Sequence, residues 1–382
     1  MMEELSRRNF LKAVSVASLA AAAPALAKPI LAASSGRQRV FVGSNTPEGI
    51  LAYDWNPATG ELSPAGVAAK LANVDWITYS PDRKVLFAAS EVDSFNGKPT
   101  GEVASFTVFN GQLQLLSVQN SAGKGTCHVA LDQTGRVLLA ADYGGGSAAS
   151  FLVTGGKLST AIWTEHYAGH GPNPDRQQSA HAHFASFSPD NRFAYINDLG
   201  GDCIHIYRLN AATAALTPAG SYRAKPGAGP RTLHFHPNGH VAYSINELDS
   251  TVDVLEWSKT DGGLRLVTRI ELLPAGYSGD THACDTVISK DGKRVYFANR
   301  GNNAIYLFHA EEQTGSLTPG GRFDCGGRNP RNFVLDPTER WMLVANQDSN
   351  QISVFRRNPE SGALTQNGKS FAAAAPMRIL FY

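Results

Sequence analysis

The side chains able to carry chemistry in this 382-residue chain stand at the edges of a repeated unit rather than in one short motif. In GPRTLHFHPNGHVAYSINELDSTVDVLEW, residues 229–257, Leu233 and Phe235 alternate with His234 and His236. Pro237-Asn238-Gly239 then supplies a turn, and Val241, Tyr243 and Ile245 alternate again. That pattern reads as an antiparallel hairpin, in which the residue before the first strand and the residue after the second lie at the same end. Arg231 and Glu247 occupy that end. The same rule, applied to every copy of the unit, places Asp75, His128, His181, His183, His282, Asp285, Arg331 and Asn332 ahead of or at the start of first strands. It places Asn45, Glu91, Asp142, Tyr143, Asp198, Asn246, Asn299, Arg300, Asn346 and Gln347 after second strands. Imidazoles and carboxylates move protons, and guanidiniums bind oxyanions in forked hydrogen bonds. The set therefore describes a site for a small, oxygen-rich anionic ligand.

Such convergence requires a scaffold that repeats the hairpin around an axis, and the sequence supplies the repeat. The second strand recurs as VFVGSN from Val40, VLFAASE from Val85, VLLAADY from Val137, FAYINDL from Phe193, VAYSINE from Val241, VYFANR from Val295 and WMLVANQ from Trp341. Turns of the SPDG type precede most copies, and the period is roughly 50 residues, suited to four short strands with their turns. Seven such sheets bury their apolar faces most economically by packing on one another around a channel, so an all-β, seven-bladed β-propeller is expected. The chain enters on a second strand at Val40, whereas residues 377–382, MRILFY, have the character of a first strand. The last blade is therefore expected to be composite, closed by strands from both ends.

The ring of polar residues belongs to one mouth, and the longest insertion, residues 166–178, HYAGHGPNPDRQQ, lies at that mouth. It is expected to fold over the funnel and bring Arg176 and Gln177 to the ligand. His181 and His183 are two apart on one strand, but spacing places no third ligand beside them, so no metal site is read. Gly144-Gly145-Gly146 has the composition of a phosphate loop. No helix follows it, and a hairpin turn is expected instead.

Ahead of the repeats, residues 6–12, SRRNFLK, form a twin-arginine signal. An apolar run over 13–25 and an Ala-Leu-Ala cleavage pattern ending at Ala27 follow it. Residues 1–27 are thus expected to be a signal peptide read by the twin-arginine translocase, with 28–38 a linker and 39–382 the propeller. The destination is periplasmic, without stable membrane association. A formal charge of +1 at pH 7 argues against nucleic acid or an anionic membrane as partner. Cys127, Cys203, Cys284 and Cys325 show no metal-binding spacing; they read as small buried residues, with one disulfide open to them in an oxidising compartment.

The stretches QSAHAHFASFSPDNRFAYINDLGGD, GPRTLHFHPNGHVAYSINELDSTV, FANRGNNAIYLF and NPRNFVLDPTERWMLVANQDSNQISVFRRNPESGAL resemble the seven-bladed propeller lactonases. That family holds bacterial 6-phosphogluconolactonase and fungal 3-carboxy-cis,cis-muconate cyclase. The resemblance implies hydrolysis of a sugar lactone without metal or organic cofactor, with a muconate-type cycloisomerase or a non-catalytic ligand-binding propeller as alternatives. It carries a catalytic quartet onto His183, Arg231, Glu247 and Arg300. Glu247 or His183 would serve as base, and the two arginines would clamp a carboxylate, phosphate or oxyanion. His181, Asp285, Arg331, Asn299, Asn346 and Arg176 are expected to bind substrate. Asp285 stands where the family pattern leads one to expect a glutamate, shortening that carboxylate by a methylene. Export favours an unphosphorylated aldonolactone over a cytosolic phosphorylated one.

Overall fold

The computed structural model describes residues Gly36–Tyr382. The twin-arginine segment, its cleavage pattern and most of the expected linker lie outside the described residues. From Gln38 onward the chain forms seven antiparallel sheets in sequence order. The first complete blade, blade I, runs Val74–Tyr79, Val85–Ser90, Glu102–Phe109, Gln112–Asn120 from channel to rim. The inner strands of blades II to VI begin at Thr126, Ala182, Pro230, Ala283 and Pro330. Blade VII is composite: Pro376–Phe381 pairs antiparallel with Gln38–Ser44, matching Val40 to Phe381 and Val42 to Ile379. The seven-bladed ring and its closure are thus as the repeat requires. Gly144-Gly145-Gly146 forms the turn between Val137–Asp142 and Ser147–Thr154, paired strands of blade II. That blade departs from the pattern at its rim, where two short pieces, Lys157–Leu158 and Trp163–His166, share the edge of Ser147–Thr154.

Alternation along each strand gives both faces of each sheet an apolar set, and the core is a series of slabs between neighbouring blades. Val241, Tyr243, Ile245, Val252 and Val254 of blade IV pack on Val295, Phe297, Ala304 and Phe308 of blade V. At the closure, Trp55 and Phe381 of blade VII meet Trp341 of blade VI; Trp55 lies edge-on to both partners at 6.1 Å. Polar rivets tie the rims together. The hydroxyls of Tyr195, Tyr243 and Tyr296 donate to the carbonyls of Gly262, Gly315 and Gly362 in the next blade, and Trp341 Nε1 donates to Pro57. All four cysteines are buried and free, so no disulfide joins them. No helix among the described residues is long and apolar enough to cross a membrane.

One irregularity repeats in all seven blades and decides where the site lies. Pairing between the first and second strands skips the second residue of the first strand. In blade IV, for example, Pro230 faces Asn246 and Thr232 faces Ile245, leaving Arg231 unpaired. A bulge of this kind bends its strand and re-aims the extra side chain. The skipped residues are Asp75, Cys127, His183, Arg231, Cys284, Arg331 and Met377, and together they line one small cavity on the axis.

Candidate active site

A second sevenfold feature sets the upper ring. The residue following each second strand donates its backbone N–H to a carbonyl just ahead of, or at the entry to, the first strand of the same blade. Glu247 bonds Gly229 at 2.8 Å, Arg300 bonds His282 at 2.9 Å, and Glu91 bonds Asn73 at 2.8 Å; Asn45, Tyr143, Leu199 and Gln347 repeat the bond. The bond fixes the turn so that the side chains of Tyr143, Glu247 and Arg300 reach inward above the bulge residues.

The preceding residue, the last of each second strand, does something else. Asn299 donates to Ser250 and Thr281 at 2.8 Å and accepts from the His282 amide, while Asn346 donates to the Cys325 carbonyl and Ser353 at 3.0 Å. Both are fully buried, as are Asp142 and Asp198, whose carboxylates hold the neighbouring turns. The structure therefore does not bring Asn299 and Asn346 to a ligand, because their amides tie blades together.

Glu247 is the hub of the funnel. Its carboxylate, wholly buried, pairs with Arg231 Nη1, with Arg300 Nη2 at 2.9 Å and with Arg176 Nη2 at 2.6 Å. Burial alone would push this carboxyl up; the guanidiniums of Arg300, Arg231 and Arg176 outweigh it and hold it well below the ordinary value. Both oxygens of the carboxylate are taken up by guanidiniums, so its geometry suits an anchor for the arginines and leaves His183, of the two expected bases, as the one with a nitrogen free of protein partners. Arg231 is fixed further by its Nε bond to the Cys284 carbonyl at 2.9 Å. Burial lowers Arg300 to about 10 against the pull of Glu247, and its Nε finds no protein partner.

His183 stands beside this hub on the axial cavity. Burial, then Arg231, depresses its pKa well below the usual value, so the ring is a neutral imidazole at pH 7, and its Nδ1 has no protein partner. The cavity it shares with Asp75, Arg231 and Arg331 measures about 20 Å³, room for roughly one water molecule. Beyond it, Trp76, His128 and Phe184 of three adjacent blades fill the channel, with ring centroids 4.3 and 3.9 Å apart, and the Arg378 guanidinium stacks 4.0 Å from Trp76. The funnel is consequently blind.

Other expected ligands divide. Arg176 does arrive: Asn173 Oδ1 caps its loop, and its Nη2 also donates to the Tyr143 hydroxyl at 3.1 Å. Gln177 does not. It is buried and pins the loop through Leu199 O and Asp202 Oδ1 at 2.9 and 2.8 Å. His181 stacks on Tyr143 at 4.4 Å with its Nδ1 on the Tyr143 carbonyl, forming the wall. Arg331 forks onto Asp75 at 3.0 and 3.2 Å. Asp285 sits one residue below the bulge ring, accepting from Asn332 Nδ2 at 2.6 Å. Outward from Arg300 a groove of about 540 Å³ passes His282, Asn303, Arg328 and Asn329, within the range that small ligands occupy. Tyr143 and Glu91 complete the mouth. Both follow second strands and were legible by position, but nothing in their spacing separated them from the structural residues one place earlier.

The arrangement offers the guanidiniums of Arg176, Arg231, Arg300 and Arg331 around Glu247 and Asp75, a neutral imidazole and a closed floor, which together can bind an oxyanion and accept a proton. The family described as "Lactonase, 7-bladed beta-propeller" matches residues 39–381. A 6-phosphogluconolactonase of Bacillus subtilis is 31% identical over 311 residues, covering 80% of this chain and 87% of that protein. A 6-phosphogluconolactonase of Formosa agariphila is 32% identical over 318 residues, covering 80% and 88%. The solved structure of the Pseudomonas aeruginosa periplasmic gluconolactonase PpgL superposes with a TM-score of 0.84 at 31% identity, over 90% of this chain and 99% of that one. With a propeller of seven blades, a family match over residues 39–381 and this coverage, the chain belongs to the seven-bladed β-propeller lactonase family.

Proposed function

We propose that this protein opens the ring of an aldonolactone by hydrolysis, at the funnel built by His183, Arg231, Glu247 and Arg300. The observation that carries the reading is a neutral His183 beside an arginine cluster whose positions Glu247 fixes. His183 takes the proton of the attacking water, and Arg231 and Arg300 hold the oxygen on which negative charge develops. Arg176 closes the mouth from its loop, and His181, Arg331 and Asp285 shape the wall. Because four arginines surround Glu247 and Asp75, an aldonolactone or an acid-bearing relative fits better than a neutral apolar ester.

Export from the cytoplasm through the twin-arginine translocase, read from Arg7 and Arg8, goes with a periplasmic location and an unphosphorylated lactone. The periplasmic description of the Pseudomonas relative supports that reading. Purified mature protein, assayed by the pH drop that accompanies hydrolysis, should act on gluconolactone and other aldonolactones. Its 6-phosphate and muconolactones serve as comparisons. His183→Gln should lower kcat by about 10²–10⁴-fold, the range for loss of a general base. A product of unchanged mass would make the protein a cycloisomerase, and binding without turnover of any lactone would make it a non-catalytic propeller.

A further inference from the structure

Ring opening needs a proton for the departing alkoxide; Glu247, held as an anion, carries none to give, and His183 gains one only by taking it from the attacking water. The mouth contains a second glutamate in the same register. Glu91 follows the second strand of blade I as Glu247 follows that of blade IV, with the same backbone bond to its own hairpin. The bulge residue beneath Glu247 is Arg231, a cation; beneath Glu91 it is Asp75, an anion. The other carboxylates around the channel are committed: Asp75 to Arg331, Asp142 and Asp198 to turns, Asp285 to Asn332. Among the described residues Glu91 has no side-chain hydrogen bond to protein, and it is half-buried beside Asp75, Arg331 and Arg231.

We propose that Glu91 is the general acid of the reaction, delivering a proton to the ring oxygen of the lactone as the acyl–oxygen bond breaks, an assignment that rests on the lactone-opening reading above. The environment supports the protonated form. Asp75 and Asp93 face Glu91 from its own blade, Cys127 and the Gly125 backbone from blade II, and Arg331 and Arg231 from across the channel. Burial, with the Asp75 charge next, pushes the Glu91 carboxyl up to about 7 against the opposing pull of Arg331 and Arg231. Burial and Asp75 acting on one glutamate, and three guanidiniums acting on the other, drive the two toward opposite protonation states, the arrangement that separates acid from spectator.

The step balances. Water oxygen bonds to the carbonyl carbon while His183 takes its proton. The acyl–oxygen electron pair then passes to the ring oxygen, which receives the Glu91 proton. One water is added, leaving His183 protonated and Glu91 ionised, and exchange with solvent restores both.

Glu91→Gln keeps the shape and removes the acid. It should lower kcat about 100-fold at pH 6 with KM changed less than twofold. The wild type should show a fall in kcat/KM above about pH 7, and the variant should lack it. Asp75→Asn should move that fall to lower pH by removing the adjacent negative charge. An unchanged kcat, or a persisting alkaline limb in Glu91→Gln, would overturn the assignment while leaving lactonase activity intact. A second readout needs no substrate. A carboxyl whose folded pKa is raised disfavours the fold once it ionises. The variant should therefore melt with the wild type below about pH 4.5, above it increasingly to about pH 7, and by a constant margin beyond. Superimposable melting at every pH would refute the proposal even in a protein that opens no lactone.

Discussion

Glu247→Gln tests whether the hub holds the funnel together. The substitution leaves the side-chain shape and removes one negative charge from the midst of Arg176, Arg231 and Arg300. Stranding the partner of a buried ion pair costs about 3–5 kcal/mol. The side chains of Arg231 and Arg300 are only 5% and 14% exposed, but that of Arg176 is 30% exposed and can turn to solvent, which puts the cost near the lower figure. With about 2.1 cal/mol/K per residue of unfolding entropy over roughly 350 residues, ~3 kcal/mol lowers Tm by about 4 °C. Turnover should fall with it, because Arg231 and Arg300 lose the anion that orients them. The pH dependence has a definite sign. A carboxyl held below its ordinary value of 4.5 stabilises the fold fully above that value and loses the contribution as pH falls toward the depressed one. The gap between wild type and variant should stay level from pH 8 to 5 and narrow below about pH 4.5. Calorimetry and steady-state kinetics on the same preparations decide it. A variant that melts within 1 °C of wild type (~1 °C being the scatter of such scans) and loses turnover a hundredfold, on the order expected for a lost base, would mean that Glu247 acts as a free base and that the anchoring argument is wrong.

Two further outcomes are expected. Arg176→Ala removes a loop guanidinium that meets Tyr143 and Glu247 at the open side of the funnel. KM should rise about tenfold, the value of one charge-assisted hydrogen bond, with Tm little changed; this is checked by kinetics with gluconolactone. Deleting residues 376–382 strips Met377, Ile379 and Phe381 from the core. At about 1.5–3 kcal/mol each, with the bared edge of Gln38–Ser44 added, that approaches a domain's whole stability. The truncated chain should lose its cooperative melt and elute as aggregate, and a sharp unchanged transition would count against closure by that strand.

The seven repeats and their closure were open to a reading of sequence because period-2 alternation and turn residues are local, and MRILFY keeps the same period as the other first strands. The mouth was legible to within one residue. Hairpin topology says which end of a blade a residue occupies but not which way its side chain points, and a one-place slip along a strand reverses the side. Hence Arg300 reaches Glu247 whereas Asn299, its neighbour, ties Ser250 to Thr281. In the loop over the mouth, Arg176 reaches Glu247 while its neighbour Gln177 is buried against Leu199 and Asp202, a difference set by the turn rather than by strand alternation. The bulges left no mark in the hydrophobic pattern, since an extra residue facing a channel is tolerated whatever its polarity: Met377 and Cys284 occupy the same place as Arg231.

Interchangeable bulge positions also explain how such a scaffold holds a polar reaction centre without loss of the fold. The strand pairs that carry the stability lie on either side of the skipped residue, so Asp75, His183, Arg231 and Met377 can differ in charge and size while the register around them does not. What changes is the residue above. With Arg231 below and two more guanidiniums around it, Glu247 is locked as an anion; with Asp75 below, Glu91 meets a charge of its own sign. The bulge side chain therefore adds to the burial and the neighbouring guanidiniums that set the protonation of the residue above it. Chemistry on this fold is written in seven inward-facing positions, each read in pairs with the residue that closes its own hairpin.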